Sequence, residues 1–319
     1  MTYESFLTLM EEEFKSYLKE DVDSDVSIKK VLKNNGIELD ALTVRNKSCK
    51  AAPTIYMNSY YDEFTGGRTI EDIVAEICEM IKKNSGKIQF NLDDFMEFDK
   101  IKDSIAFKIV NAEANSRLLE MVPHVRMLDF AMVFYCLVHC NEYENATTLI
   151  YNQHLDMWNV DLESIKRLAT DNTPKLLPAE IKSMSDIIRE MLGCEGLSEE
   201  GCYNGQTIDD FTDKLMEELT LAPDTPQMYV LTNKYRLNGA SSMFYKGVLK
   251  DFSMRYGKNL IVLPSSVHEV ILIPMEKEMK PEEFDGMVVE VNREEVDPCE
   301  ILSDHAYVYD CEKDMLLMR

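Results

Sequence analysis

An α+β fold, with mixed sheets packed against helices, is the class this sequence predicts, and two stretches of pattern predict it. The first quarter reads helix, three strands, helix, and a later section reads strand, helix, strand, strand. Apolar residues recur at helical spacing in some segments and alternate in others, and Gly, Pro and Asn punctuate the changes. Strands and helices grouped in this way pack in one layer each.

Taken in order, Phe6, Leu7, Met10, Phe14 and Leu18 lie at helical spacing opposite an acidic side, which predicts an amphipathic helix from about Tyr3 to Leu18. Val26 to Leu32 and Ile37 to Val44 flank Lys33-Asn34-Asn35-Gly36. Ile37, Leu39 and Ala41 alternate, and an Asn-Gly pair tolerates positive φ, so the segment predicts a hairpin. A third strand, Thr54 to Tyr60, follows Pro53. Beyond Gly66-Gly67, Thr69 caps a helix with Asp72 in the capping-box position, and Ile70, Ile73, Val74, Ile77 and Ile81 form its apolar stripe.

The middle section predicts a strand at Ser104 to Val110, a short helix around Ser116 to Met121 and one long apolar strand from Arg126 to His139. Asn141 to Glu144 turn the chain, and Ala146 to Ile150 pair back. A helix over Leu162 to Ala169 precedes Asn172-Thr173-Pro174, where the proline is expected to stop it. Later come a strand at Met228 to Thr232, a helix from Ala240 to Met254, and strands at Leu260 to Leu263 and Val270 to Ile273. The acidic tail beyond Lys280 ends in a strand at His305 to Tyr309. The N-terminal unit is thus helix, three strands, helix, and the C-terminal one is built on strand, helix, strand. Gly-rich, acidic Cys194 to Gly205 is the expected boundary between lobes 1–193 and 206–319, unless the two form one continuous domain.

A chain of 319 residues, 45% of them hydrophobic, buries a substantial core. Asp plus Glu outnumber Lys plus Arg by 58 to 34, for a net charge of −24. That excess disfavours nucleic acid and anionic membrane surfaces, both of which require a clustered cationic face. It either solubilises the chain or forms an acidic face that attracts a basic protein, by imitation of nucleic acid. The acids concentrate in Glu11 to Asp25, Cys194 to Asp224 and Glu276 to Glu312. Residues 1–20 lack the pattern of a secretory signal, and the longest nearly apolar stretch, Met127 to Val138, is short of the roughly 20 residues of a membrane helix. Eight dispersed cysteines and 20 methionines suit a reducing compartment, so the expectation is a cytoplasmic protein.

Ser265-Ser266-Val267-His268-Glu269 concentrates reactive side chains at a strand end. A hydrolase would use Ser266 as nucleophile, His268 as general base and Glu269 as the orienting acid. Residues two apart on a strand share a face without their side chains having to meet, and no G-x-S-x-G elbow is present, so a tight turn competes with that reading. Zinc-protease chemistry requires a second histidine at position 272, which is Leu272. Cys136, His139 and Cys140 offer soft metal ligands, against which stands a buried strand with free thiols. Asn238-Gly239 before a helix offers amides to an anion, or is an ordinary helix start. Tyr60, Tyr61, Asp62 and Glu63 set two rings beside two carboxylates, a group that attracts a guanidinium, or else a strand end with solvated acids.

Asn58-Ser59-Tyr60-Tyr61, Asn172-Thr173-Pro174, Leu231-Thr232-Asn233-Lys234 and Leu263 to Glu269 together resemble an uncharacterised domain-of-unknown-function family of anaerobic Gram-positive bacteria. That family is often encoded near mobile elements and is distantly similar to YtpQ-like proteins. The resemblance spans roughly Thr54 to Pro274. It implies a bacterial cytoplasmic setting and brings no catalytic residues.

The sequence therefore points first to a non-enzymatic, acidic interaction protein with a protein partner, linked to mobile-element biology, without cofactor, metal, nucleic acid or membrane. The alternative is a hydrolase or small-molecule-binding enzyme around Ser266, His268 and Glu269. A concave pocket faced by His268 favours the enzyme, and a broad exposed patch favours the interaction protein.

Overall fold

The computed structural model describes residues 1–17, 24–46, 54–84, 92–140, 145–191, 202–203, 206–207 and 226–318. The chain begins α1 (Tyr3–Tyr17), β1 (Ser24–Leu32), β2 (Glu38–Asn46), β3 (Thr54–Tyr56), α2 (Met57–Thr65), α3 (Ile70–Asn84), α4 (Leu92–Met96) and α5 (Phe98–Ile101). It continues β4 (Ile105–Asn111), α6 (Ser116–Leu119), β5 (His124–Met127), β6 (Phe130–Cys140), β7 (Asn145–Leu149), α7 (Asn152–Trp158) and α8 (Leu162–Leu176). Next are β8 (Ala179–Ser183), α9 (Met184–Met191), β9 (Cys202–Tyr203), β10 (Gln206–Thr207) and β11 (Tyr229–Asn233). The last elements are α10 (Val248–Tyr256), β12 (Leu260–Pro264), β13 (Val270–Pro274), α11 (Glu282–Glu294), β14 (Tyr307–Asp310) and β15 (Met315–Met318). The fold class is α+β, as the patterning predicts. The turn expected at Asn141 to Glu144 and most of the acidic stretch Cys194 to Asp224 lie outside the described residues.

Two compact units share the chain: residues 1–105, 114–123 and 134–168 form the first, and 106–113, 124–133 and 169–319 the second. Strand β6 contributes to both.

In the first unit β1 and β2 pair antiparallel from Ser24↔Asn46 to Leu32↔Glu38, and β3 adds to β2. Their connection is a 3-10 turn in which Asn35 (φ 59°) and Gly36 (φ 71°) are both left-handed, the conformation that the Asn-Gly pair favours. Phe6, Met10 and Phe14 of α1 meet Leu42, Val44 and Ile55 of the sheet and Ile73 and Ile77 of α3 in one buried cluster. Each such side chain contributes about 1.5–3 kcal/mol by burial, far more than helix propensity does. The Thr69 hydroxyl accepts the Asp72 amide at 3.2 Å and caps α3, as predicted. The strand expected to run to Tyr60 stops at Tyr56, and α2 follows. Met57, Tyr60 and Phe64 follow helical spacing, and all three pack on the same core, so burial overrides the short β pattern. Further along, the Trp158 indole N–H donates to the Phe95 carbonyl at 3.0 Å, which ties α7 to α4.

The second unit is built on a six-stranded antiparallel sheet in the order β15-β14-β12-β13-β11-β8. Leu231, Val262, Val270, Leu272 and Tyr307 face one side with Leu249 and Phe252 of α10. Ile261, Leu263 and Ile273 alternate to the other side, against Val288 of α11.

Four local expectations are corrected in these segments. The long strand is two strands, β5 and β6, joined at Leu128-Asp129 with Leu128 left-handed at φ 55°. Asp129 fixes that turn: its carbonyl accepts the Ala112 amide at 2.8 Å, and its carboxylate accepts the Tyr307 and Ser303 hydroxyls. Helix α8 runs through Pro174, one turn from its end, where proline costs a single ladder bond. The Thr173 hydroxyl adds a bond to the Ala169 carbonyl at 2.5 Å. The single helix expected over Ala240 to Met254 is a 3-10 segment (Gly239–Phe244) and α10, separated by Gly247 at φ 84°, a conformation glycine adopts without strain. The acidic tail holds a full helix, α11, with Glu282, Glu283 and Asp285 in the first turn, where they complement the dipole.

Candidate functional site

The Ser265 to Glu269 segment is the loop between β12 and β13, whose register closes at Pro264↔Val270. The Ser266 amide donates to the Glu269 carbonyl at 3.1 Å, and the Ser266 hydroxyl accepts the His268 amide at 3.0 Å. These are the bonds of a tight, self-capping turn. The imidazole points elsewhere. Its Nδ1 lies 2.9 Å from the Arg236 carbonyl and 3.3 Å from the Asn238 amide, and its Nε2 lies 3.5 Å from the Glu300 carboxylate. The main chain adds two more ties: the Val267 amide donates to the Glu300 carbonyl at 2.8 Å, and the Thr232 hydroxyl donates to the His268 carbonyl at 2.7 Å. Gly239 packs so closely here that a Cβ would stand 2.1 Å from Thr232 Oγ1 and 2.3 Å from the His268 carbonyl oxygen. The three residues meet through the main chain, but the His268 ring bonds neither the Ser266 hydroxyl nor the Glu269 carboxylate.

Glu269 instead turns to a pocket of about 270 Å³ on the sheet face, together with Ser265, Thr232, Arg236, Glu180 and Lys182. Two cations and two carboxylates line it, and Lys182 is engaged by Glu190 and, at 3.7 Å, by Glu180.

A larger groove, about 460 Å³, opens at the opposite edge of the same sheet. Its apolar lining is Met127 and Leu128 of the β5–β6 turn, Met243 and Phe244 of the 3-10 segment, and Met315 and Leu316 of β15. Lys246, Lys250 and Asp314 supply its charges, and Lys250 and Asp314 pair at 3.0 Å. Leu128 and Met315 are 46% and 53% exposed, so the apolar surface continues out of the groove.

A model of a family of unknown function, DUF5688, matches residues 3–311. The chain belongs to that family. No curated protein and no solved structure matches it. The DUF5688 description carries no activity, so roles in this member rest on geometry.

Of the remaining sequence candidates, Tyr60, Tyr61 and Glu63 have partners within the chain. Tyr60 to Glu63 lie on α2 rather than at a strand end, so their side chains fan around a helix. The Tyr60 ring is buried and its hydroxyl reaches Glu76 at 3.4 Å; desolvation, and after it the Glu76 carboxylate, raises its pKa. The Tyr61 hydroxyl donates to the Met1 carbonyl at 3.0 Å, and Asp62 is exposed. The guanidinium that this group attracts is the chain's own: Arg68 pairs with Glu63 at 2.5 Å and with Glu76. Cys136 is buried in β6, and desolvation pushes its thiol up to about 12, which disfavours the thiolate a metal requires. The side chains of His139 and Cys140 lie outside the described set. Among the described residues no three His, Cys, Asp or Glu side chains gather to hold a metal, and no helix is long and apolar enough to cross a membrane. At Asn238-Gly239 the Ala240 amide already donates to the Val267 carbonyl at 3.3 Å, leaving that helix start occupied. Sequence reasoning missed the 460 Å³ groove because its lining comes from three segments far apart in the chain.

Proposed function

We propose that this chain is a non-enzymatic binding protein that holds a protein partner. The observation that carries the reading is the His268 ring, whose Nδ1 faces the Arg236 carbonyl and the Asn238 amide, only one of which it bonds in a given tautomer, whose Nε2 faces Glu300, and which makes no bond to the Ser266 hydroxyl. A serine without a base within hydrogen-bond reach is a poor nucleophile. The exposed apolar groove beside β15 and the formal charge of −24 supply what a binding protein uses instead: buried contact area and electrostatic steering. A cytoplasmic, bacterial setting and a link to mobile-element biology rest on composition and on the family resemblance of the Tyr60, Thr173, Thr232 and Ser266 segments.

The rival, a small-molecule-binding enzyme, draws on the 270 Å³ pocket beside Glu269 and Arg236. Two measurements separate them. Affinity capture from a bacterial lysate at low and moderate salt should retain a specific partner whose recovery falls as salt rises. Ester and metabolite turnover by the purified chain should match that of His268→Ala. Turnover that the wild type supports and His268→Ala abolishes would replace the binding reading with the enzymatic one.

A further inference from the structure

We infer that the outer edge of β15, with the adjoining groove, takes up an extended apolar segment of a partner protein as an added strand, with an acidic side chain of that segment on Lys246. This inference rests on the binding-protein reading and specifies its partner.

Among the described residues strand β15 is the outermost of its sheet and pairs with β14 alone, from Tyr307↔Met318 to Asp310↔Met315. In an antiparallel ladder alternate residues bond inward, so the other amides and carbonyls of β15 point out and accept a further strand. Native sheets guard such edges with charge, proline or a covering element. The opposite edge strand, β8, is guarded in this way: Glu180 and Lys182 stand on it, and Lys182 is paired to Glu190 of α9. Strand β15 reads Met-Leu-Leu-Met, with neither charge nor proline, and Met315 and Met318 are 53% and 42% exposed. The edge is short, at four residues, but among the described residues it carries neither of the charged side chains that guard β8 and so can accept a strand.

The groove supplies side-chain pockets beside that edge. An added strand sends every second side chain to the same face, and the methionines and leucines of the groove give those side chains an adaptable apolar seat. Charge selects among such strands. Lys250 is neutralised by Asp314, whereas Lys246 is exposed and has no ion-pair partner among the described residues. Lys246, a local cation beside an apolar groove, favours an occupant carrying a carboxylate at that point. A second copy of this chain is the less suitable occupant, because it brings its own −24 against the first.

The test is selection from a phage-displayed library of random peptides about twelve residues long, long enough for one strand with flanks, against the full chain and two surface variants. Enriched peptides should carry apolar residues at alternate positions and one aspartate or glutamate. Lys246→Glu should reverse the charge preference to lysine or arginine, and Met315→Lys should reduce enrichment at least tenfold. Circular dichroism confirms that both variants remain folded. No enrichment on the wild type, enrichment unchanged by Met315→Lys, or a charge preference unchanged by Lys246→Glu would each overturn strand addition. So would a wild-type dimer in sedimentation that Met315→Lys dissociates, which would assign the edge to self-association. If lysate capture persists with Met315→Lys, the strand-addition inference fails and the binding-protein reading stands.

Discussion

Tyr307→Phe removes one oxygen from the cluster that buried Tyr307 and Ser303 form with Asp129 in the second unit and leaves the ring in place. The Tyr307 hydroxyl lies 2.6 and 2.7 Å from the two Asp129 carboxylate oxygens and 2.6 Å from the Ser303 hydroxyl, which itself donates to Asp129 at 2.8 Å. Tyr307 and Ser303 are both fully buried. The variant keeps the ring packed against Phe130, whose centroid is 5.0 Å away, so apolar burial is nearly unchanged. What is lost is a hydrogen bond to a charged acceptor, about 1.5–3 kcal/mol, while Asp129 keeps one donor in Ser303. We expect a destabilisation of about 2 kcal/mol at pH 8.

Desolvation and the Asp129 carboxylate raise the Tyr307 pKa in the folded chain. A phenol held neutral by the fold ionises first in the unfolded chain. Its contribution is therefore complete below the unfolded tyrosine range near pH 10 and declines above it, by about 1.4 kcal/mol per pH unit. The gap between wild type and Tyr307→Phe should consequently narrow between pH 10 and 11. Urea unfolding followed by circular dichroism at pH 8, 10 and 11 measures the gap. Hydrogen exchange over residues 124–133 and 303–310 localises it, while the fluorescence of Trp158 reports on the first unit separately. A difference near zero at pH 8, or one that stays constant to pH 11, would refute the view that this bond is formed and that it holds the phenol neutral.

Gly239→Ala should be among the most damaging single methyl additions. The new Cβ would meet Thr232 Oγ1 at 2.1 Å and the backbone of His268 and Asn233 at 2.3 and 2.9 Å, and overpacking of this kind costs about 1–3 kcal/mol or more, read as a fall in Tm. Thr69→Ala leaves the Asp72 amide without its cap and should cost about 1 kcal/mol in thermal denaturation, with Thr69→Ser restoring most of it. Cys136 should resist iodoacetamide at pH 8 in the folded chain while the half-buried Cys299 reacts, because burial pushes the Cys136 thiol up to about 12; peptide mass spectrometry with and without denaturant checks the order.

What was legible in the sequence was local and strongly coded. Asn35-Gly36 announces the hairpin because few other pairs accept two left-handed residues in succession. The Thr69 cap and the isoleucines of α3 carry both a start signal and a period. Short segments with two plausible periods were misread. Thr54 to Tyr60 follow Pro53 as a strand would, yet Met57, Tyr60 and Phe64 lie at helical spacing, and the core selects the helix. Helix α11 was hidden by its acids, although Phe284 and Val288 mark its buried face. At the candidate site, the competition between triad and turn was visible in the spacing of Ser266 and His268. The partners of the imidazole were not, since Arg236, Asn238 and Glu300 reach it through tertiary structure. The groove beside β15 was beyond sequence reading for the same reason.

Sharing β6 between two units has a consequence for how the protein is made. Residues 106–113 and 124–133 belong to the second unit but lie within the first half of the chain, so a ribosome releases them long before most of their partners. Phe130 and Ile109 join a core otherwise drawn largely from residues beyond 228, and Asp129 waits for a hydroxyl 178 residues downstream. At about 5–20 residues per second that delay is roughly 10 to 35 seconds. During it, β6 has its sheet neighbours β4, β5 and β7, but Phe130 lacks most of its final packing partners. Nascent chains paused at such lengths are the form of this protein on which holdase chaperones would act, and no single cut in the gene separates one unit from the other.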